Sequence, residues 1–151
     1  MKNNNLTQYL FRLGDNSLIL GQRLAEWCSK GPTLEEDVAL TNISLDNFGQ
    51  ARAVFSQIAK LKDNGMDEDD FAFKRNEREF FNTLITERPN GHFGDTIARS
   101  FLFDAFQLHF FTELTQSSDE FLAAFAEKSL KTIGKTLIKH SSIKILFELF
   151  E

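Results

Sequence analysis

Hydrophobic positions recur along this chain at helical spacing, and the sharpest instance lies in Asp95–Leu114, DTIARSFLFDAFQLHFFTEL. Ile97, Phe101, Asp104, Leu108 and Phe111 follow one another in steps of four, three, four and three, the spacing that keeps residues on one helix face. Four are large and apolar, and the carboxylate of Asp104 sits at the centre of the seam. Burying an uncompensated carboxylate is costly, so Asp104 calls for a metal, a base, a hydrogen-bond network or its own proton.

The same reading predicts four further helices. Leu6, Leu10, Leu13, Ser17, Leu20, Leu24 and Trp27 form a nearly unbroken four-three seam over Leu6–Trp27, preceded by Asn3–Asn5 as a disordered lead. Gly14 and Gly21, seven apart on one stripe, each lower helix propensity by about 1 kcal/mol relative to Ala, a cost that close approach of a neighbouring helix would offset. Lys30-Gly31-Pro32 ends this helix, and Thr33 with Glu36 forms a capping box for the next, which runs to about Leu61. Its larger face is read as Val38, Thr41, Leu45, Phe48, Arg52 and Phe55. The adjoining small, polar stripe of Ala39, Asn42, Asp46, Gly49, Ala53 and Ser56 is read as a line of close helix contact that carries Asp46 inward.

A third helix is expected over about Asp69–Glu87, with Phe73, Phe80 and Leu84 as its apolar stripe, Glu79 beside it and Asn82 one turn on. Arg88-Pro89-Asn90-Gly91 breaks the chain, and Asp95 or Thr96 opens the fourth helix. Asp119 caps a fifth, patterned by Phe121, Leu122, Phe125, Leu130, Ile133 and Leu137 and weakened by Gly134. The final run places Ile143, Ile145, Leu146, Phe147, Leu149 and Phe150 within eight positions, an apolar tail that needs a dock or a partner. No strand-like alternation or repeat stands out. The expected fold is therefore all-α, one domain over residues 1–151 built as an antiparallel helical bundle.

Composition narrows this picture. Seventeen of the 151 residues are Phe against one Tyr and one Trp, which indicates a dry core or a large interface. A net charge of −5 without a basic run argues against nucleic acid or an anionic membrane as partner. There is no run of about twenty apolar residues of the kind a membrane span needs. The single cysteine, Cys28, is read as a small buried hydrophobe in a reducing, cytoplasmic setting.

Three predicted helices each bring a carboxylate toward the interior: Asp46, Glu79 and Asp104. This is the outline of a ferritin-like di-metal bundle, whose complete site uses Glu-x-x-His motifs so that carboxylates bridge the metals and an imidazole one turn on completes each shell. Here no Asp or Glu is followed by His at the third position. Glu79-Phe-Phe-Asn82 carries Asn in that place, and Asp104 is followed there by Gln107. His92 follows a Pro-Asn-Gly turn and reads as solvated. His109, five residues past Asp104, reads as a partly buried packing residue, and His140 lies in the atypical C-terminal part. No catalytic, cofactor or metal residues are therefore assigned. Asp46, Glu79, Asn82 and Asp104 are candidates for a vestigial site or a buried network, with Arg52, Arg75, Arg78 or Arg99 as counter-ions.

Several segments together resemble a known family: RLGDNSLILGQRLAEWC (Arg12–Cys28), LEEDVALTNISLDNFGQAR (Leu34–Arg52), the stretch from Asp67 to Phe106 containing DEDD-x-AF, R-x-E-R-E-F and E-x-PNG, and SSDEFLAAFAEKSLK (Ser117–Lys131). They are similar to the C subunit of bacterial phenylacetyl-CoA monooxygenase (epoxidase) complexes, over most of residues 10–131. The resemblance implies a ferritin-like bundle that acts as a structural, non-catalytic copy of a homologous di-iron subunit. It also implies cytoplasmic phenylacetate catabolism, in a complex with further subunits. In that complex dioxygen and NADPH epoxidise the ring of phenylacetyl-CoA, with flavin and iron–sulfur groups in the reductase. The chain itself would hold no cofactor and have no activity alone. A stand-alone ferritin-like di-metal oxidase and a helical interaction module with a vestigial pocket are the competing readings. After about Lys131 the family pattern is lost, apart from His140-Ser141-Ser142, and a truncated or frameshifted product with an incomplete bundle is expected.

Overall fold

The computed structural model describes the backbone of residues 2–142 and the side chains of residues 5–137. Among them there are helices and no strands, so the fold class is all-α, of the ferritin-like bundle kind. The helices are α1 (Lys2–Ala25), α2 (Leu34–Lys62), α3 (Glu68–Phe73), α4 (Leu84–Glu87), α5 (Phe93–Leu114) and α6 (Glu120–Ser142), with a 3-10 turn at Glu77–Glu79. They divide into two compact units, residues 1–89 and 90–151. The apolar tail from Ile143 and the side chain of His140 lie outside the described residues.

The first unit is built on the antiparallel pairing of α1 and α2. Helix α1 begins at Lys2, so Asn3–Asn5 belong to its first turns and are not a lead. Its seam residues Leu10, Leu13, Ser17, Leu20 and Leu24 are buried as the spacing predicts. The two glycines sit where α2 comes closest. A Cβ on Gly14 would lie 2.6 Å from Cε1 of Phe55, and one on Gly21 would lie 2.9 Å from Cε1 of Phe48. Ser44 donates a hydrogen bond across the same line, 2.7 Å to the Gly21 carbonyl. Thr33 caps α2 as expected, its hydroxyl accepting from the Glu36 N–H at 3.3 Å.

The buried face of α2 is rotated from the one predicted. It runs through Leu40, Ile43, Ser44, Asn47, Ala51, Val54, Phe55 and Ile58, while Val38 and Leu45 are exposed. The sequence offers apolar residues on both sides of this helix. The small residues Ser44 and Ala51, which allow approach to α1, decide which side is buried. Gly49, by contrast, has open space around it.

The predicted third helix does not form as one element. Helix α3 stops at Phe73, and the chain continues through the 3-10 turn and an extended stretch to the single turn of α4. Side chains take over the backbone groups a long helix would have paired. Arg75 Nε donates to the Phe71 carbonyl at 2.6 Å, and Glu79 Oε2 accepts from the Asn76 N–H at 2.7 Å. The N–H groups of Phe81 and Thr83 donate to Asp15 and Asn16 of α1, at 2.8 and 2.7 Å. Capping and tertiary hydrogen bonds thus override an apolar spacing that looked helical.

In the second unit, α5 starts earlier than predicted. His92 is its N-cap, accepting from the Gly94 N–H at 3.1 Å, while Asp95 Oδ2 accepts from the His92 N–H at 3.1 Å. Asp119 caps α6 as expected, accepting from the Leu122 N–H at 3.0 Å. Between the two helices lies an aromatic cluster, in which Phe111 meets Phe125 edge-on at 5.7 Å and Phe121 stacks on Phe125 at 6.0 Å.

Candidate functional site

The most highly organised polar centre of the first unit involves a residue that the helical spacing did not single out. Asp15 of α1 is fully buried and Arg75, in the irregular segment after α3, nearly so. Arg75 approaches the carboxylate with both terminal nitrogens. Nη1 donates to Oδ2 at 3.0 Å, and Nη2 makes a short contact with Oδ1. The Phe81 N–H adds a third donor to Asp15. The guanidinium also donates to the Phe71 and Glu79 carbonyls, and it lies over the rings of Phe80 and Phe11, 4.1 and 4.7 Å from their centroids. Such a forked, fully compensated pair suits Arg and not Lys, because the planar guanidinium meets carboxylate, carbonyls and ring faces at once. Its effect is positional: it fixes an irregular, Phe-rich segment against α1.

The four residues picked out by spacing do not form this centre. Asp46 is exposed on α2, because the helix buries its other side. Glu79 is exposed in the 3-10 turn, where its carboxylate caps the Asn76 N–H. Asn82 is half-buried, and its amide donates to Glu87 Oε2 at 3.0 Å and more weakly to the Thr83 carbonyl at 3.3 Å. Of the proposed counter-ions, Arg52 instead pairs with Glu68 at 3.1 Å, and Arg99 donates to Asn90 Oδ1 at 2.8 Å. Arg78 is exposed.

Asp104 is buried on α5, as the central seam predicts, with Gln107 buried one turn on. Burial raises its carboxyl to about 7, well above the ordinary carboxylate range. His92 is exposed as expected. His109 is exposed too, and not a packing residue, because the buried face of α5 runs through Ser100, Phe103, Asp104 and Gln107. Cys28 is likewise exposed and not buried, since α1 has already ended at Ala25 and the chain is turning. Among the described residues, no three or more His, Cys, Asp or Glu side chains are grouped so that they could hold a metal.

Two exposed apolar stripes stand out. On α2, Leu34, Val38 and Leu45 share one outer line, with Leu34 76% exposed. On α5, Leu102 and Phe106 are exposed one turn apart, and Phe106 stacks on Phe110 with centroids 5.7 Å apart. Large apolar side chains on the solvent side of a helix mark places where another surface fits. Among the described residues no helix is long and apolar enough to cross a membrane.

Comparison with known proteins places these features in a family. Residues 1–133 match the family model described as phenylacetic acid catabolic protein. The chain is 53% identical over 128 residues to the C subunit of 1,2-phenylacetyl-CoA epoxidase from Escherichia coli strain K12, a match covering 85% of this chain and 51% of that protein. The chain thus spans about half the length of the curated relative it matches. It belongs to the phenylacetic acid catabolic protein family.

Proposed function

We propose that this family member serves as a non-catalytic, structural subunit of a phenylacetyl-CoA 1,2-epoxidase, supporting a homologous di-iron subunit in phenylacetate catabolism. The observation that carries this reading is the 53% identity to the C subunit of such an epoxidase across most of the chain. The chemistry of the candidate residues agrees with it. Asn82 occupies the position where a Glu-x-x-His motif needs its imidazole, and a carboxamide does not supply that nitrogen ligand. Glu79 caps backbone, and Asp46 faces solvent. These residues do not fit an iron centre, and no step of the reaction is assigned to them. The iron, and the NADPH, flavin and iron–sulfur groups of electron delivery, belong in this reading to other subunits of a cytoplasmic complex.

What this chain contributes is shape and surface. The Asp15–Arg75 pair and the glycine-mediated approach of α1 to α2 hold a rigid first unit. The exposed stripes on α2 and α5 offer apolar area to the other subunits. The test is metal content and turnover of the purified chain after growth with ample iron. The proposal expects substoichiometric iron and no oxidation of phenylacetyl-CoA by the chain alone. Two irons per chain with turnover would establish a free-standing di-metal oxidase and overturn it.

A further inference from the structure

The dipeptide Asn-Gly occurs twice in the chain, at Asn64-Gly65 and Asn90-Gly91. Glycine has no side chain to shield its own backbone nitrogen, so the amide of a preceding asparagine is open to attack by that nitrogen. The two settings differ. Asn64 and Gly65 are both exposed, in the loop between α2 and α3. Gly65 has a φ of +78°, and nothing lies within 4 Å of where a Cβ would stand. The Met66 N–H donates to Asn64 Oδ1 at 3.3 Å. This bond closes a short ring that contains the Gly65 nitrogen, so Asn64 Cγ and its attacker share one turn. Asn90 is half-buried, and its amide is anchored elsewhere. Its Oδ1 accepts from Nη2 of Arg99 at 2.8 Å and from the Thr96 hydroxyl at 3.4 Å, both buried residues of α5. Asp95 Oδ2 also stands 3.1 Å from where a Gly91 Cβ would be, and a carboxylate so close opposes loss of the Gly91 amide proton.

We propose that Asn64 is a deamidation site, converted through a succinimide with Gly65 to aspartate and isoaspartate, whereas the contacts of Asn90 on α5 keep Asn90 intact. The Gly65 nitrogen gives up its proton and bonds to Asn64 Cγ. The Cγ–Nδ2 bond breaks, and that nitrogen leaves as ammonia. Water then opens the ring at either carbonyl, leaving aspartate, or isoaspartate with the backbone running through Cγ. No oxidant or reductant takes part. The product carries a new carboxylate one residue past the Asp63 C-cap, at the negative end of the α2 dipole. In its isoaspartate form it is also a methyl acceptor for a protein-isoaspartate methyltransferase. At Asn90 the amide must first be released from Arg99, an opening that slows the same reaction about tenfold or more. The inference does not rest on the epoxidase reading, since both pairs are set in the local structure of this chain whatever the complex.

The purified full chain is incubated at pH 8, and the peptides that contain each pair are followed over days by mass spectrometry. Isoaspartate is counted by enzymatic methyl transfer from labelled S-adenosylmethionine. Asn64 is expected to lose ammonia about tenfold faster than Asn90. The methyl uptake should disappear in Asn64→Gln, an exposed change that leaves the fold alone. The same chain unfolded in guanidinium chloride is the reference, and there the two pairs should react at comparable rates because each has the same following glycine. Equal rates in the folded chain, or an Asn64 that stays intact, would overturn the proposal. A difference that persists in the unfolded chain would belong to the sequence and not to the structure, which also overturns it.

Discussion

Replacing Asp15 by alanine removes one carboxylate and leaves three donors facing a dry interior. These are Nη1 and Nη2 of Arg75 and the Phe81 N–H, all of which end on Asp15 in the native chain. The guanidinium cannot swing into solvent without giving up the Phe71 and Glu79 carbonyls and the faces of Phe11 and Phe80. Removing one partner of a buried ion pair typically costs about 3–5 kcal/mol, and both side chains here are at least nine-tenths buried. For a chain of this size, about 2–4 °C of melting temperature goes with each kcal/mol, so Asp15→Ala is expected to melt about 10 °C lower. The assay is thermal and urea denaturation followed by circular dichroism. Limited proteolysis adds a local readout, with cleavage expected first between Phe73 and Thr83, the stretch tied to α1 by Asp15 and Asn16. The paired change Asp15→Leu with Arg75→Met should recover part of the loss, because two apolar side chains replace two charges, while the Phe81 N–H loses its acceptor and the Phe71 and Glu79 carbonyls lose their donor, at about 1–3 kcal/mol for each group left buried and unpaired. A loss below about 1 kcal/mol for Asp15→Ala, or a double variant as unstable as the sum of the singles, would refute the reasoning.

Other positions give independent checks. Gly14→Ala would drive a Cβ into the buried ring of Phe55 and is expected to cost about 1–3 kcal/mol in urea denaturation, whereas Gly49→Ala, with open space around it, should be neutral or stabilising by up to about 1 kcal/mol. Asp104 gives a pH signature. Burial raises its carboxyl from 3.8 to about 7, so the folded chain keeps a proton that the unfolded chain releases. Its contribution to stability is therefore full below about pH 4, declines as pH rises, and is lost above about pH 7, a swing on the order of 4 kcal/mol. Asp104→Asn should be more stable than the parent at pH 8 and similar to it near pH 4, and equal differences at both values would contradict this. Asp46→Ala, on the exposed side of α2, should shift stability by no more than about 0.5 kcal/mol in the same assay; a loss of several would return Asp46 to a buried network.

Long apolar seams are legible in the sequence itself. The four-three pattern of α1, the Thr33 cap, the Asp119 cap and the burial of Asp104 all follow from local spacing and cap chemistry, which act within a few residues. The face that α2 buries is less legible, since apolar residues occupy both sides of that helix and only the packing partner, approached through Gly14 and Gly21, selects one. The stretch after Phe73 departs from its helical pattern for a deeper reason. Its hydrogen bonds go to Asp15 and Asn16, 66 and 67 residues away in sequence, and no local pattern signals an acceptor at that distance. Asp15 leaves one trace, a carboxylate beside Gly14 on a helix otherwise apolar on that side, but periodicity assigns it to no partner. The same gap explains the candidate site. The absence of imidazole at Asn82 and Gln107 can be read by inspection, whereas the exposure of Asp46 and Glu79 depends on the rotation of α2 and on the break after α3.

The central claim is that this chain serves as a structural subunit beside a metal-bearing homologue. The most direct measurement is co-expression of the tagged chain with the family member that carries two Glu-x-x-His motifs, followed by size-exclusion chromatography with iron quantified across the peak. The account predicts co-elution in a fixed stoichiometry, with two irons per homologue chain and none contributed by this one. Elution of the chain by itself, folded and with its own two irons, would contradict it.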